Sequence, residues 1–248
     1  MKGFKQTGLS LVELMLAMAV GLLLMTFVVQ AFVANKATNR FNEGLSEIQE
    51  SGRYGINLLR NEIRMSAYRL DPTNPPLVNP LLGVDNNGPN NSDSLTIRYQ
   101  GRPAIGAVAA DVDCTGGVPA LGIIVNTFNL QSDANNNNRL ALFCNDGGGN
   151  NVAILPGVED LQFEYGVDLT NDGAANAYLT AGEVVNMNQV VSIRVAMLLA
   201  TEDNVGSSTE GRNYRLLDPN QLAGPFNDQR LRRVFSLTVV IRNSNDDN

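Results

Sequence analysis

The chain has 248 residues, a formal net charge of −7 and no histidine. Catalytic triads built on histidine, His-ligated zinc and imidazole acid–base chemistry are therefore excluded, and an acidic chain repels polyphosphates at long range, so general nucleic-acid binding is not expected. The length suits one good hydrophobic core and one domain beyond any membrane segment.

The N-terminus opens MKGFKQTG and continues LSLVELMLAMAVGLLLMTFVVQAFVA, apolar except for Glu13. No residue from Leu14 to Ala34 is charged, and about 20 apolar residues in a helix cross a bilayer core. Residues 9–34 therefore read as a transmembrane segment. A carboxylate in such a segment costs roughly 2.5–3.5 kcal/mol at the centre on insertion scales, less near an end, and calls for a partner. No cation lies between Lys5 and Lys36, which leaves the leader, a lipid head group or another molecule. A secretory signal would end in a small-residue A-x-A site, and AFVANKA fits that poorly. A cut after Gly8 instead places the new Leu9 amine one helical turn from Glu13.

Gly8, an apolar residue after it and Glu13, ahead of a transmembrane helix, resemble the prepilin signature of type IV pilins and type II secretion pseudopilins. The resemblance implies cleavage by a prepilin peptidase between Gly8 and Leu9, methylation of the Leu9 amine, and a role for Glu13 in filament assembly, where it meets a neighbour's N-terminus. Leu9 departs from the usual phenylalanine but keeps the apolar character. Residues 1–8 are then a leader peptide.

Beyond the membrane, Phe41, Leu45, Ile48, Gly52, Ile56, Leu59, Ile63 and Ala67 step by threes and fours, the spacing of one helical face. The expected helix covers residues 9–70, roughly 90 Å long at 1.5 Å per residue, and ends where Pro72, Pro75 and Pro76 forbid continuation. Gly44, Gly52 and Gly55 each weaken the helix by about 1 kcal/mol relative to alanine. They serve either close packing on a sheet or local melting, and packing is favoured.

Residues 71–248 change to β-like runs between Asn/Asp/Gly loops. Strands are expected at Leu95–Tyr99, Leu121–Asn126, Leu140–Cys144, Leu161–Val167, Val190–Leu199 and Val234–Arg242. The fold class is α+β and pilin-like, a long N-terminal helix with a transmembrane first half, packed on an antiparallel β-rich head. Cys114 and Cys144, in a chain with an export signal, are expected to form one disulfide, worth roughly 3–4 kcal/mol in the chain-entropy model. Unpaired thiols are the alternative.

Asp168, Thr170, Asp172, Gly173 and Asn176 fall at the first, third, fifth, sixth and ninth places of a calcium loop. The twelfth place holds Leu179 instead of glutamate, and the alternative is an Asx-rich turn. Calcium is the sole cofactor the sequence suggests. Arg230, Arg232 and Arg233 form a basic strip that reads as a solvated strand edge or as a contact for an acidic partner. The carboxylates of Glu159–Glu164 and Asp203–Glu210 read as solvated faces, and nothing assembles a catalytic site, so the chain is not expected to be an enzyme.

GRYGINLLRNEIRMSAY (Gly52–Tyr68), GVEDLQFEYGVD (Gly157–Asp168), VVSIRVAMLLAT (Val190–Thr201) and LRRVFSLTVVIRN (Leu231–Asn243) resemble the PilW family of larger minor pilins. That resemblance implies a minor pilin that primes type IV pilus assembly in a tip complex, supporting twitching motility and adhesion. Its implied partners are the prepilin peptidase, other minor pilins, the major pilin, the inner-membrane assembly platform and a tip adhesin. Its implied location is a single pass of the inner membrane with the head in the periplasm, then the filament on the cell surface. A type II secretion pseudopilin and a solitary membrane-tethered binding module are the alternatives.

Overall fold

The computed structural model describes residues 10–71, 73, 75–119, 121–209, 211–217 and 221–243. Two compact units divide the chain, Met1–Glu43 and Gly44–Asn248. Helix α1 (Leu11–Met65) supplies the described part of the first unit and the opening element of the second.

In the first unit the helix exposes its large apolar side chains, among them Leu11, Phe27 and Val33. An 18-residue window with a mean hydropathy of 2.4 contains no buried residue, so this helix is long and apolar enough to cross a membrane. The hydroxyls that interrupt it are satisfied within it. Thr26 Oγ1 donates to the Leu22 carbonyl and Thr38 Oγ1 to that of Ala34, the back-bonding that lets a hydroxyl sit in an apolar helix.

In the second unit, the head, one face of α1 is buried through Gly44, Ile48, Gly52, Gly55, Leu59 and Ile63. The three glycines are contact points. A Cβ on Gly52 would lie 2.3 Å from the Phe235 ring, and one on Gly55 would lie 2.6 Å from Leu155 and 2.7 Å from Met197. This is the packing role expected of them. Forcing methyl groups into a filled core costs about 1–3 kcal/mol, so Gly55→Val is expected to lower the unfolding free energy by roughly 2–3 kcal/mol. Urea unfolding followed by tyrosine fluorescence measures this, and an unchanged midpoint would mean the contact is loose.

The helix ends at Met65, five residues before the expected boundary. Pro72 lies outside the described residues, and Pro75 and Pro76 come too late to be the cause. Tertiary contacts stop it instead. Ala67 turns into the left-handed region at φ 63°, and its N–H donates to the Arg98 carbonyl. Ser66 Oγ donates to the Pro80 carbonyl, and Asn243 Nδ2 to the carbonyls of Arg64 and Ser66. These bonds satisfy groups that a helix C-terminus leaves open.

The head contains two antiparallel sheets. The first runs β1 (Leu81–Val84), β2 (Ser94–Gln100), β3 (Ile123–Asp133), β4 (Arg139–Asn145), β5 (Asn151–Pro156) in spatial order. The second is ordered β7 (Ala177–Leu179), β6 (Val158–Val167), β8 (Val190–Asn204), β9 (Arg230–Val240). Each expected strand has a counterpart. The run expected at Leu121–Asn126 starts at Ile123 and extends to Asp133, and the last strand begins and ends earlier than Val234–Arg242. β1, β5 and β7 have no counterpart among the expected strands, because LLGV, NVAILP and AYL are short and gain their pairing from neighbouring strands.

Gly157 carries the chain from one sheet to the other. Its φ is 76°, a region open to glycine at little cost, and a Cβ there would lie 2.5 Å from the Ala200 carbonyl oxygen. Its N–H donates to Leu140 of the first sheet and its carbonyl accepts from Ala200 of the second. The core lies among Ile48, Leu59 and Ile63 of α1, Leu95, Ile97, Ile124, Phe128 and Leu142 of the first sheet, and Leu161, Phe163, Ile193, Val195 and Met197 of the second.

Candidate functional site

Gly8 and Leu9, the expected cleavage and methylation positions, lie outside the described residues. The described chain begins at Ser10, and there Glu13 has a partner that the sequence reading did not name. The Ser10 N–H donates to Glu13 Oε2 at 3.2 Å, and the Glu13 N–H donates to Ser10 Oγ at 3.3 Å. This is a capping box, two orphan donors of a helix start satisfied reciprocally. The carboxylate also lies at the positive end of the helix dipole. The S-x-x-E spacing was the available signal. It survives a cut after Gly8, because the Ser10 N–H belongs to the Leu9–Ser10 peptide. No cation is bonded to Glu13 among the described residues.

Cys114 and Cys144 are joined in a disulfide with 6.2 Å between their Cα atoms. Cys144 lies on β4 in the core, so the bond fastens the loop between β2 and β3 to the first sheet. Asn126 extends the connection to the helix. Its Oδ1 accepts the Cys114 N–H, and its Nδ2 donates to Glu62 of α1 at 2.8 Å. Burial pushes the Glu62 carboxyl above its ordinary value, against the pull of the Asn126 amide.

The oxygens of the candidate calcium loop accept hydrogen bonds from within the loop. Asp168 accepts from the N–H groups of Thr170, Asn171 and Gly173 at 3.0, 2.7 and 2.7 Å, with a longer bond from Asp172. Asn176 Oδ1 accepts from the Leu169 N–H and the Thr170 hydroxyl. Desolvation of Asp168 is outweighed by these amides, which hold its carboxyl below the ordinary value. The geometry is that of the Asx-rich turn. Among the described residues no group of three or more His, Cys, Asp or Glu is placed to hold a metal. A chelator is expected to leave the melting temperature of the protein unchanged. A drop of several degrees on adding EDTA, reversed by calcium, would restore the ion.

Arg230 and Arg232 do not form a solvated edge. Arg232 is buried, and Glu159 beside it, expected on a solvated face, is 7% exposed. Glu159 accepts from Arg230 Nη1 at 2.6 Å and from Arg232 Nε at 2.6 Å, while Asp228 accepts from Arg232 Nη1 at 2.6 Å. The Arg232 guanidinium also stacks 3.7 Å from the centre of the Phe226 ring. Hydrogen bonds from Arg232 hold the Asp228 carboxyl below its ordinary value. The sequence shows alternating arginines on an amphipathic strand with Asp228 four residues before Arg232, and only the fold brings Glu159 to them.

A second buried carboxylate behaves differently. Asp93 accepts the N–H groups of Asn86 and Phe163, each at 2.9 Å. Burial, with smaller contributions from Asp85 and Asp160, outweighs those bonds and raises its carboxyl to about 6. A group whose folded value lies above its unfolded one stabilises most below the unfolded value, near 4, and loses that contribution as pH rises through 6. The share of stability carried by Asp93 is expected to fall by roughly 2–3 kcal/mol between pH 4 and 7. Its carboxyl carbon resonance should titrate with a midpoint near 6, and a midpoint near 4 would refute this.

A cavity of about 370 Å³ opens where α1 ends, lined by Ser66, Leu77, Asn186, Met187 and Ile241 among others. Its lining also includes Arg69 and Asp168.

The structure of a type IV-like pilin from Thermus thermophilus aligns with 79% of this chain and 98% of that chain at a TM-score of 0.45 and 15% identity. No curated protein sequence matches. A family model described as type IV pilus-assembly protein W matches residues 127–243. From within β3 to the residue that closes the C-terminus of α1, the chain is thus a match to the PilW family of type IV pilus-assembly proteins.

Proposed function

We propose that this chain is a minor pilin that primes type IV pilus assembly. In this reading a prepilin peptidase cuts after Gly8 and methylates Leu9, and residues 9–34 hold the chain in the inner membrane with the head in the periplasm. The chain then enters a tip complex with other minor pilins and an adhesin, above the major pilin, and supports twitching motility and adhesion. The observation that carries the reading is the combination, in one chain, of an apolar helix opening at a Glu13 capping box and a head matching a pilus-assembly family.

Glu13 enters the membrane with Oε2 engaged by its own backbone, which offsets part of the cost of a charge there. A neighbouring amine would complete the pair in the filament, where water is excluded and the attraction is stronger, though desolvation takes back part of the gain. The test is the mass and N-terminal residue of the protein recovered from membranes and from sheared surface filaments. A chain beginning at methylated Leu9 in both fractions is expected. An intact Met1 terminus, or a cut beyond Ala34, would overturn the reading, and loss of protein secretion with twitching intact would move it to a secretion filament.

A further inference from the structure

Loop 85–93 leaves the first sheet between β1 and β2 and is fastened to β6 of the second. The Asp93 N–H donates to the Leu161 carbonyl and Asn90 Nδ2 to that of Glu159, both at 2.8 Å. Gln162 Nε2 donates to the Asn91 carbonyl at 3.0 Å. The Phe163 N–H donates to Asp93 Oδ2 and the Asn86 N–H to Oδ1, so one carboxyl group joins the loop's own turn to the sheet. These ties to β6 all fall within residues 159–163.

Asp93 is 4% exposed, and Asp160 on β6 is 1% exposed. The groups that face Asp93 are Asp85 of its own loop, Asp160, Glu164 and Tyr165 of β6, and the uncharged Thr180 and Gln221. Glu164 pairs with Arg194, but among the described residues no cation pairs with Asp85, Asp93 or Asp160. The buried Tyr165 hydroxyl bonds to none of them. A buried carboxylate without a cation is costly to ionise, and two N–H donors offset only part of that cost. Asp168 shows the contrast, because four backbone N–H groups of its own loop converge on it and favour its charged form. The Asp93 carboxyl, raised to about 6, keeps its proton in mild acid.

We propose that loop 85–93 is a latch between the two sheets, held closed on β6 by a proton on Asp93 and loosened when that proton leaves. Local opening brings the carboxyl into water, where it ionises near its ordinary value of about 4. Ionisation therefore favours the open form, so opening is rarest in acid and becomes commoner as pH rises through 6. The pH dependence of the head is thereby concentrated at one joint. Gln221 donates to the carbonyls of Asn90 and Asn91, so the segment that leads to β9 loses its hold when the loop lifts.

Hydrogen exchange of the full chain in detergent, read by mass spectrometry and corrected for the intrinsic pH dependence of amide exchange, tests this. Between pH 5 and 7.5 the protection of residues 85–93 and 159–163 is expected to fall about tenfold, while that of β3 and β4 holds. Asp93→Asn keeps the shape and cannot ionise, and it is expected to show no such fall. Unchanged protection of the loop in the wild type would overturn the proposal. So would an equal fall in β3 and β4, which would make the effect global. A fall that persists in Asp93→Asn would also overturn it, assigning the proton to Asp85 or Asp160. The comparison of the loop with β3 and β4 needs the wild type alone, so it decides the matter even where the variant fails to fold. Exchange is read on the head whether or not the chain enters a filament, so failure here is separate from failure of the pilus reading.

Discussion

Glu159→Ala is expected to lower the unfolding free energy of the head by about 3–5 kcal/mol, the cost of leaving a buried guanidinium without its partner. Arg232 has a side chain only 1% exposed and is held between Glu159 and Asp228. Removing Glu159 leaves two arginines, Arg230 and Arg232, sharing Asp228 in a site with little access to water. The damage also spreads, because Arg230 and Arg232 belong to β9, which pairs with β8 along most of its length. β9 in turn supplies Phe235 to the packing against Gly52 of α1. Glu159→Gln keeps the shape and one acceptor but loses the charge, so its loss should be smaller than that of alanine. Urea unfolding of the three proteins, followed by tyrosine fluorescence, ranks them. A loss under about 1 kcal/mol for alanine would mean that water reaches the arginines and that the network contributes no more than a surface pair does.

Glu13→Ala is expected to leave membrane insertion and leader cleavage intact while the amount of protein in sheared filaments falls at least tenfold. The substitution removes two things, the capping bond to the Ser10 N–H and the carboxylate offered to a neighbouring amine. Glu13→Gln separates them, because glutamine at the third helical position can still accept from the N-cap backbone but carries no charge. If glutamine enters filaments as poorly as alanine, the charge is what assembly uses. If glutamine restores entry, the cap is what matters, and wild-type incorporation of alanine would remove Glu13 from the assembly account altogether. Immunoblots of membrane and filament fractions, with N-terminal mass analysis, give all three outcomes.

Much of this molecule was legible before folding because local patterns carry it. The uncharged run from Leu14 to Ala34, the spacing of Ile48, Gly52, Leu59 and Ile63, and the β-branched runs around Val125, Phe163, Val195 and Val239 each declare their structure within a few residues. The Cys114–Cys144 pair needed only an even count and an export signal. The capping box at Ser10 is equally local, carried by the S-x-x-E spacing of Ser10 and Glu13.

What the sequence determined by itself was the kind of each main element, since helix and strand follow from the period of the apolar residues. The tertiary structure decided where the helix stops, through Ala67, Arg98 and Asn243, and which short segments become β1, β5 and β7. It also decided the role of each charge. Glu159, Arg230 and Arg232 look like surface residues in the one-dimensional pattern. Whether an arginine is paired depends on which distant carboxylate the fold brings within about 3 Å, and no local rule encodes that distance.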